Sequence, residues 1–223
     1  MHFPTAPALF MQLHLVRHGQ THWNAIRRIQ GQLDSELDDT GRAQAAALAP
    51  RLAALGIGAV YCSTSLRTRQ TAELALDPPI EPPIKTIVYR DELREICLGA
   101  WEGRLWDDIT GEFPEQVEHL RAVTPGFDVE GAESYVELQQ RGVAAIERII
   151  AETAAETVLV VSHGALLKTI LAHYAGHPLT MLRTLPSLGN CAHSSLQAVG
   201  AERNVLMIES EPFHESIWSG RIA

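Results

Sequence analysis

The sequence is short of several things that would have decided its class at once. Cysteine is scarce: Cys62, Cys97 and Cys191 are the only three in 223 residues. An odd number at wide spacing forms neither a disulfide framework nor a zinc pattern, and it suits a reducing, cytoplasmic setting. No apolar run is long enough to span a bilayer. Residues 1–10 lack the basic start and apolar core of a secretory signal. They read as a loose extension, with Met11 as an alternative start. Basic charge is short too. A formal net charge of -9 argues against nucleic acid or an anionic membrane as the main partner. A small anionic ligand stays open, because a few clustered arginines set the field inside a pocket.

What is there is the balance of an ordinary globular protein, 46% hydrophobic and 20% charged residues, at a length suited to one sizeable domain. Leu13–Val16, Ala59–Cys62, Thr86–Val88, Val158–Val161, Ala192–Val199 and Val205–Glu209 read as strands. Helical spacing follows Thr40, a candidate N-cap, as far as Leu55, with Gly56 as the stop. Ser63-Thr64-Ser65 opens a second helix, Tyr135–Thr153 is a long amphipathic one, and another follows Gly164. Gln20–Leu37 reads as a loop with at most one helical turn. Asp77–Lys85 is a proline-rich link, Trp106–Ala122 is helical pieces broken at Pro114, and His177–Pro186 is a short helix or loop. The alternation predicts an α/β three-layer sandwich: a mainly parallel central sheet, helices on both faces, one domain over 11–210. A small cap insert over about 91–134 would cover the carboxyl ends of the strands. Residues 211–223 read as a frayed tail. The last strands fall at or near an edge, where two copies would pair in a homodimer.

Two of the strands end alike. Leu13–Val16 stops at Arg17-His18-Gly19, and Val158–Val161 stops at Ser162-His163-Gly164. An apolar run bounded by glycine is a buried strand stopping at a tight turn, and ligands of open α/β sheets sit beyond such strand ends. If the two strands are neighbours, two imidazoles share one mouth. His22 lies four residues after His18, but Gly19 stands where a zinc-protease motif needs Glu, so no metal site is expected. Cys62 and Cys97 read as packing residues.

Leu15-Val16-Arg17-His18-Gly19-Gln20-Thr21, with Asn24 and Gln30-Gly31 behind it, resembles the first motif of the histidine phosphatase superfamily, the phosphoglycerate mutase-like family. Ser63-Thr64-Ser65-Leu66-Arg67-Thr68-Arg69-Gln70-Thr71-Ala72 is similar to its second motif, although Ser65 and Thr68 stand where the family more often has an apolar residue and alanine. Leu93 to Gly103, with Glu95, resembles the acid motif, and Val161-Ser162-His163-Gly164 the second-histidine motif. The four occur in the family's order from Met11 to about His173. The resemblance implies that His18 is the nucleophile, forming a phosphohistidine, and that Arg17, Arg67 and His163 clamp the phosphoryl group. It further implies that Glu95 is the proton donor and then the base, and that Asn24 and the Gly31 amide touch phosphate. Gly164 opens a helix whose N-terminus adds to the clamp. Guanidinium forks fit the charge spread over a transferring phosphoryl group, and imidazole attack needs no cofactor. Burial of Glu95 near Trp101 is expected to raise its pKa.

Gly-Ala-Trp-Glu-Gly in the acid motif is similar to the phosphatase branch, since mutases of the family differ here and carry a longer insert. The expected activity is therefore metal-independent hydrolysis of small phosphate monoesters, a small phosphorylated metabolite being the partner. A cofactor-dependent phosphoglycerate mutase, and a catalytically inactive binding protein on the same fold, are the alternatives.

Overall fold

A computed structural model of the chain describes residues 10–77 and 86–212. In chain order its elements are β1 (Phe10–Arg17), α1 (His22–Ala25), α2 (Asp39–Ala47), α3 (Ala49–Ala53), β2 (Ala59–Ser63), α4 (Leu66–Ala75) and β3 (Ile87–Arg90). There follow α5 (Trp106–Glu112), α6 (Pro114–Ala122), α7 (Tyr135–Glu152), β4 (Thr157–Ser162), α8 (Gly164–Tyr174), β5 (His193–Val199), β6 (Glu202–Ile208) and β7 (Glu211–Pro212). Most of the proline-rich link, the N-terminal extension up to residue 9 and the tail from residue 213 lie outside the described residues.

The strands form one seven-stranded sheet in the order β3-β2-β4-β1-β5-β6-β7. From β3 to β1 every pair is parallel; from β1 to β7 every pair is antiparallel. The sheet is therefore mixed, with its parallel half where the sequence placed it. β5 is a correction: it pairs with β1 deep in the sheet and not at an edge. Phe10 is another, since it opens β1 opposite Val199 and is no part of a loose extension. Glu211 and Pro212 likewise add a short strand beside β6.

Why the sheet is covered on both faces follows from period-two alternation. Leu13, Leu15, Val158 and Val160 pack into one core with Ile146, Leu166 and Ile170 from α7 and α8. Val16, Leu159 and Val161 point the other way, onto Leu48, Leu52 and Ala72 beside α2, α3 and α4. All of these strand residues are fully buried, as two-sided parallel strands require. Gly142 lets α7 press onto α8, for a Cβ there would stand 2.7 Å from Leu166 Cδ1.

Two helix boundaries differ from the sequence reading. Asp38, not Thr40, caps α2, its carboxylate accepting from the Gly41 amide at 2.7 Å. The helix expected to run on to Leu55 is interrupted at Leu48, because Pro50 has no N–H to donate to the turn before it. Elsewhere Ser134 and Glu137 form a capping box that starts α7, and α5 and α6 break at Pro114. The insert between Asp91 and Ser134 folds around Trp101, whose ring lies 5.6 to 6.4 Å from those of Trp106, Phe113 and Phe127.

Candidate active site

The register of the parallel strands sets the site. Arg17 is paired with Ser162 across β1 and β4, and Cys62 with Val161 across β2 and β4. The residues just past these pairs, His18, His163 and Ser63, therefore emerge side by side at the carboxyl ends. The rings of His18 and His163 have centroids 5.3 Å apart at 61°. The expectation that two strand-end histidines share one mouth matches this geometry.

His18 is fully enclosed. Its Nδ1 lies 2.7 Å from the Gly19 carbonyl oxygen, which can only accept. Nδ1 therefore carries the proton, and Nε2 keeps its lone pair. Gly19 is fixed in turn: its amide donates to Thr71 Oγ1 at 3.0 Å, and a Cβ there would meet Gly41 O at 2.5 Å. Burial, then the charges of Arg67 and Arg17, hold the His18 pKa well below the ordinary imidazole value. Burial and the same arginines, together with His18, act likewise on His163. Both rings are neutral at neutral pH. His163 Nε2 is 2.8 Å from Ser63 Oγ, while its Nδ1 is buried without a partner.

Two guanidiniums flank the rings. Arg67, 1% exposed, donates to the carbonyls of Leu33 and Gly31 at 2.8 Å each. Burial lowers its pKa to about 10, which still leaves it charged at neutral pH. Arg17 donates to the Leu188 carbonyl. The Nε atoms of both are buried without an acceptor. Arg17 Nε lies against Gly164, 3.1 Å from where a Cβ would be, so only glycine fits there without displacing it.

Glu95 does something the sequence did not show. Its carboxylate accepts from the amides of Ala165 and Leu166, each at 3.1 Å, and from its own neighbour Ile96 at 3.0 Å. It caps α8, whose own N-cap, His163, supplies no side-chain bond. Two amides at the α8 N-terminus are thus occupied by Glu95. The expected contact with Trp101 is replaced by this cap, since Trp101 packs in the aromatic cluster of the insert. Arg141 of α7 holds the Glu95 segment by donating to the carbonyls of Glu92, Arg94 and Glu95 at 2.8 to 3.3 Å.

A cavity of about 320 Å³ joins these parts, lined among others by Arg17, His18, Asn24, Gly31, Arg67 and Glu95. His163 is not part of its lining but touches His18 edge to face, and Gly164 lines a neighbouring cavity with Arg17 and Glu95. Asn24 Oδ1 is engaged by the Thr21 amide at 3.2 Å in the cap of α1, so its amide group is the donor left for a ligand. Gly31 presents its carbonyl to Arg67, a use not expected of it. Ser63, Thr71 and Arg141 were missed. Ser63 had a signal, as the last residue of a buried strand; the other two act through tertiary contacts alone. Among the described residues no three His, Cys, Asp or Glu side chains form a metal-binding group.

A mixed α/β sheet gathers two imidazoles and two guanidiniums, Arg67 buried and Arg17 half-buried, at the carboxyl ends of its parallel strands. The chain belongs to the histidine phosphatase superfamily (branch 1), whose family model matches residues 13–210. It is 38% identical over 184 residues to a probable phosphoglycerate mutase GpmB of Yersinia pestis, covering 82% of this chain and 83% of that one. Among solved structures it resembles Bacillus stearothermophilus YhfR, with a TM-score of 0.82 and 35% identity over 92% of this chain and 98% of that one. It also resembles the mycobacterial glucosyl-3-phosphoglycerate phosphatase Rv2419c in complex with VO3, with a TM-score of 0.79 and 26% identity over 90% of this chain and all (100%) of that one.

Proposed function

We propose that the protein is a metal-independent phosphomonoesterase that works through a phosphohistidine on His18. The observation that carries the proposal is one cavity wall that holds the Arg17 and Arg67 guanidiniums beside His18, whose Nε2 lone pair is left free by the Nδ1 hydrogen bond to Gly19 and whose ring lies 5.3 Å from that of His163. A phosphate monoester supplies oxygens for the guanidiniums and a phosphorus for the imidazole.

The ester's phosphate enters against Arg17, Arg67 and the Gly164 amide. His18 Nε2 forms a bond to phosphorus as the ester P–O bond breaks. The charge that develops on the equatorial oxygens is held by the fixed guanidiniums and by His163. Glu95, at the cavity wall, gives a proton to the departing alkoxide. It then takes one from a water that attacks phosphorus, which releases inorganic phosphate and restores neutral His18. The Gly19 carbonyl stabilises the ring while it carries the phosphoryl group, because Nδ1–H becomes more acidic then and its hydrogen bond stronger.

The phosphatase named among the resembling structures and the short acid motif support hydrolysis. The named likeness to GpmB supports a second reading, transfer between hydroxyls of phosphoglycerate. One assay separates them. Enzyme is mixed with 3-phosphoglycerate in EDTA, and both free phosphate and 2-phosphoglycerate are measured. Phosphate release is expected; isomerisation without net release would give the mutase reading instead. Acid-quenched wild type should carry acid-labile phosphate that His18→Ala lacks, and label persisting in that variant would remove His18 as nucleophile.

A further inference from the structure

α8 carries a cation that the chemistry above leaves unused. Lys168 lies one helical turn beyond Gly164 on the same face, about 6 Å along the axis at roughly 1.5 Å per residue. Its side chain is partly buried, and its ammonium donates to the Leu185 carbonyl at 2.8 Å. Burial lowers its pKa, with no carboxylate opposing the shift.

A second cavity, of about 250 Å³, shares Arg17 and Glu95 with the active-site cavity and is lined further by Gly164, Lys168 and Ser187. The next, about 430 Å³, is lined by Lys168, Tyr135, Arg121 and Arg183. Arg121 reaches it from α6 with its guanidinium 5.5 Å from the centre of the Trp106 ring. Arg183 is paired with Glu118, but neither Arg121 nor Lys168 has a carboxylate partner among the described residues. In a chain of net charge -9, two uncompensated cations along one cavity are a local reversal of the field. A partly desolvated ammonium without a counter-ion is costly, and an anion brought by a ligand offsets that cost.

We infer that this arm is a second anion subsite: the substrate carries, beside its ester phosphate, a carboxylate or a further phosphate that Lys168 and Arg121 hold. The inference rests on the phosphomonoester reading above and narrows it to substrates of short span that carry a second anionic group. A plain structural role for Lys168, tying the Leu185 carbonyl to α8, is the competing account.

The test uses ligands matched but for the second charge. 3-Phosphoglycerate is compared with glycerol 3-phosphate, and 1,3-propanediol bisphosphate with its monophosphate, so that the carboxylate and phosphate sources are read separately. The wild type should prefer the more anionic member of at least one pair by about tenfold or more in kcat/KM, the scale of one charge-assisted contact. Lys168→Met should collapse that ratio, mainly through KM, and Lys168→Arg should restore much of it. A wild-type ratio near one for both pairs, or equal losses on both members in Lys168→Met, would overturn the subsite. Calorimetric titration of His18→Ala, with and without Lys168→Met, reads the same preference as affinity. The subsite is thereby judged even if turnover, and with it the phosphatase reading, fails.

Discussion

The Glu95 carboxylate stands 3.1 Å from the backbone nitrogens of both Ala165 and Leu166, and the same residue lines the cavity that holds His18. The acid motif and the second-histidine motif, about seventy residues apart in the chain, are one mechanical unit. Glu95→Gln keeps one acceptor oxygen but sets an amide donor against one α8 amide. A loss of about 1 kcal/mol in stability is expected, as for an N-cap, visible as a lower urea midpoint. Activity should fall more on an alkyl phosphate, whose leaving group needs a proton, than on p-nitrophenyl phosphate, which needs little. Equal losses on both would show that Glu95 serves as a cap and not as the acid.

The two imidazoles of the site should stay neutral where ordinary histidines protonate. Burial, and then Arg67, keeps the pKa of both His18 and His163 well below 6.5. NMR titration of the free protein should leave these two rings unshifted as pH falls through 6.5, with His18 in its Nδ1–H tautomer. A ring at either position that titrates near 6.5 would contradict the desolvated, arginine-flanked setting.

Ser63 reaches His163 Nε2 at 2.8 Å and fixes the direction of that ring. Ser63→Ala should lower kcat roughly tenfold while KM changes little, since the ring is then misaimed during transfer rather than during binding. A loss carried by KM alone would assign Ser63 to ground-state binding.

What the sequence made legible was local and periodic. The two strands ending in His-Gly, the double-sided apolar runs of β1 and β4 and the break at Pro114 all follow from spacing and turn chemistry. Lost to sequence reading was whatever depends on a distant partner. Glu95 caps α8 across about seventy residues, Arg141 ties down the acid motif through its carbonyls, and β5 inserts beside β1 because the chain returns antiparallel. The α2–α3 break was visible in Pro50, but the alanine periodicity outweighed it. Another distant pairing hides in the core: His14 Nδ1 and His193 Nε2 meet at 2.9 Å across β1 and β5, and neither residue carried a motif.

That buried pair gives the fold an acid limit. Burial, then Arg51, lowers the His14 pKa to about 4; burial, then His14 and Arg51, lowers that of His193 to about 3. The unfolded chain takes up protons near 6.5 that the folded chain refuses, so their contribution to stability is complete above that pH. It falls as pH drops from about 6.5 towards 4, by at most about 1.4 kcal/mol per pH unit for each ring. Glu147, whose pKa the Arg203 and Tyr174 hydrogen bonds pull down against burial, begins to lose its contribution only as pH falls through 4.5, so the decline above that pH belongs to the histidines. Urea midpoints should decline between pH 6.5 and 4.5 in the wild type, and the double variant His14→Leu/His193→Leu should make that decline shallower, leaving the part that His18 and His163 contribute. An unchanged slope in the double variant would assign it elsewhere.

Gly31 joins backbone conformation to the position of Arg67, whose Nη2 its carbonyl accepts from. Its φ is +50°, a region where a side chain costs roughly 1 kcal/mol or more. A Cβ would stand 1.9 Å from Glu102 Oε1, and that oxygen accepts from the amides of Gln32 and Leu98 at 2.9 Å each. Alanine therefore either drives Glu102 off both amides or rotates the peptide whose carbonyl holds Arg67 Nη2 at 2.8 Å. The first outcome costs stability and the second moves the guanidinium. Gly31→Ala should lower the melting temperature and raise KM for phosphate esters together, with inhibition by vanadate, tested as a phosphate analogue, weakened in step. Gly176, which also has positive φ but nothing within 4 Å of its Cβ position, is the control for backbone strain alone. If Gly176→Ala reproduced both effects, the Gly31 carbonyl would not be what holds Arg67 in place.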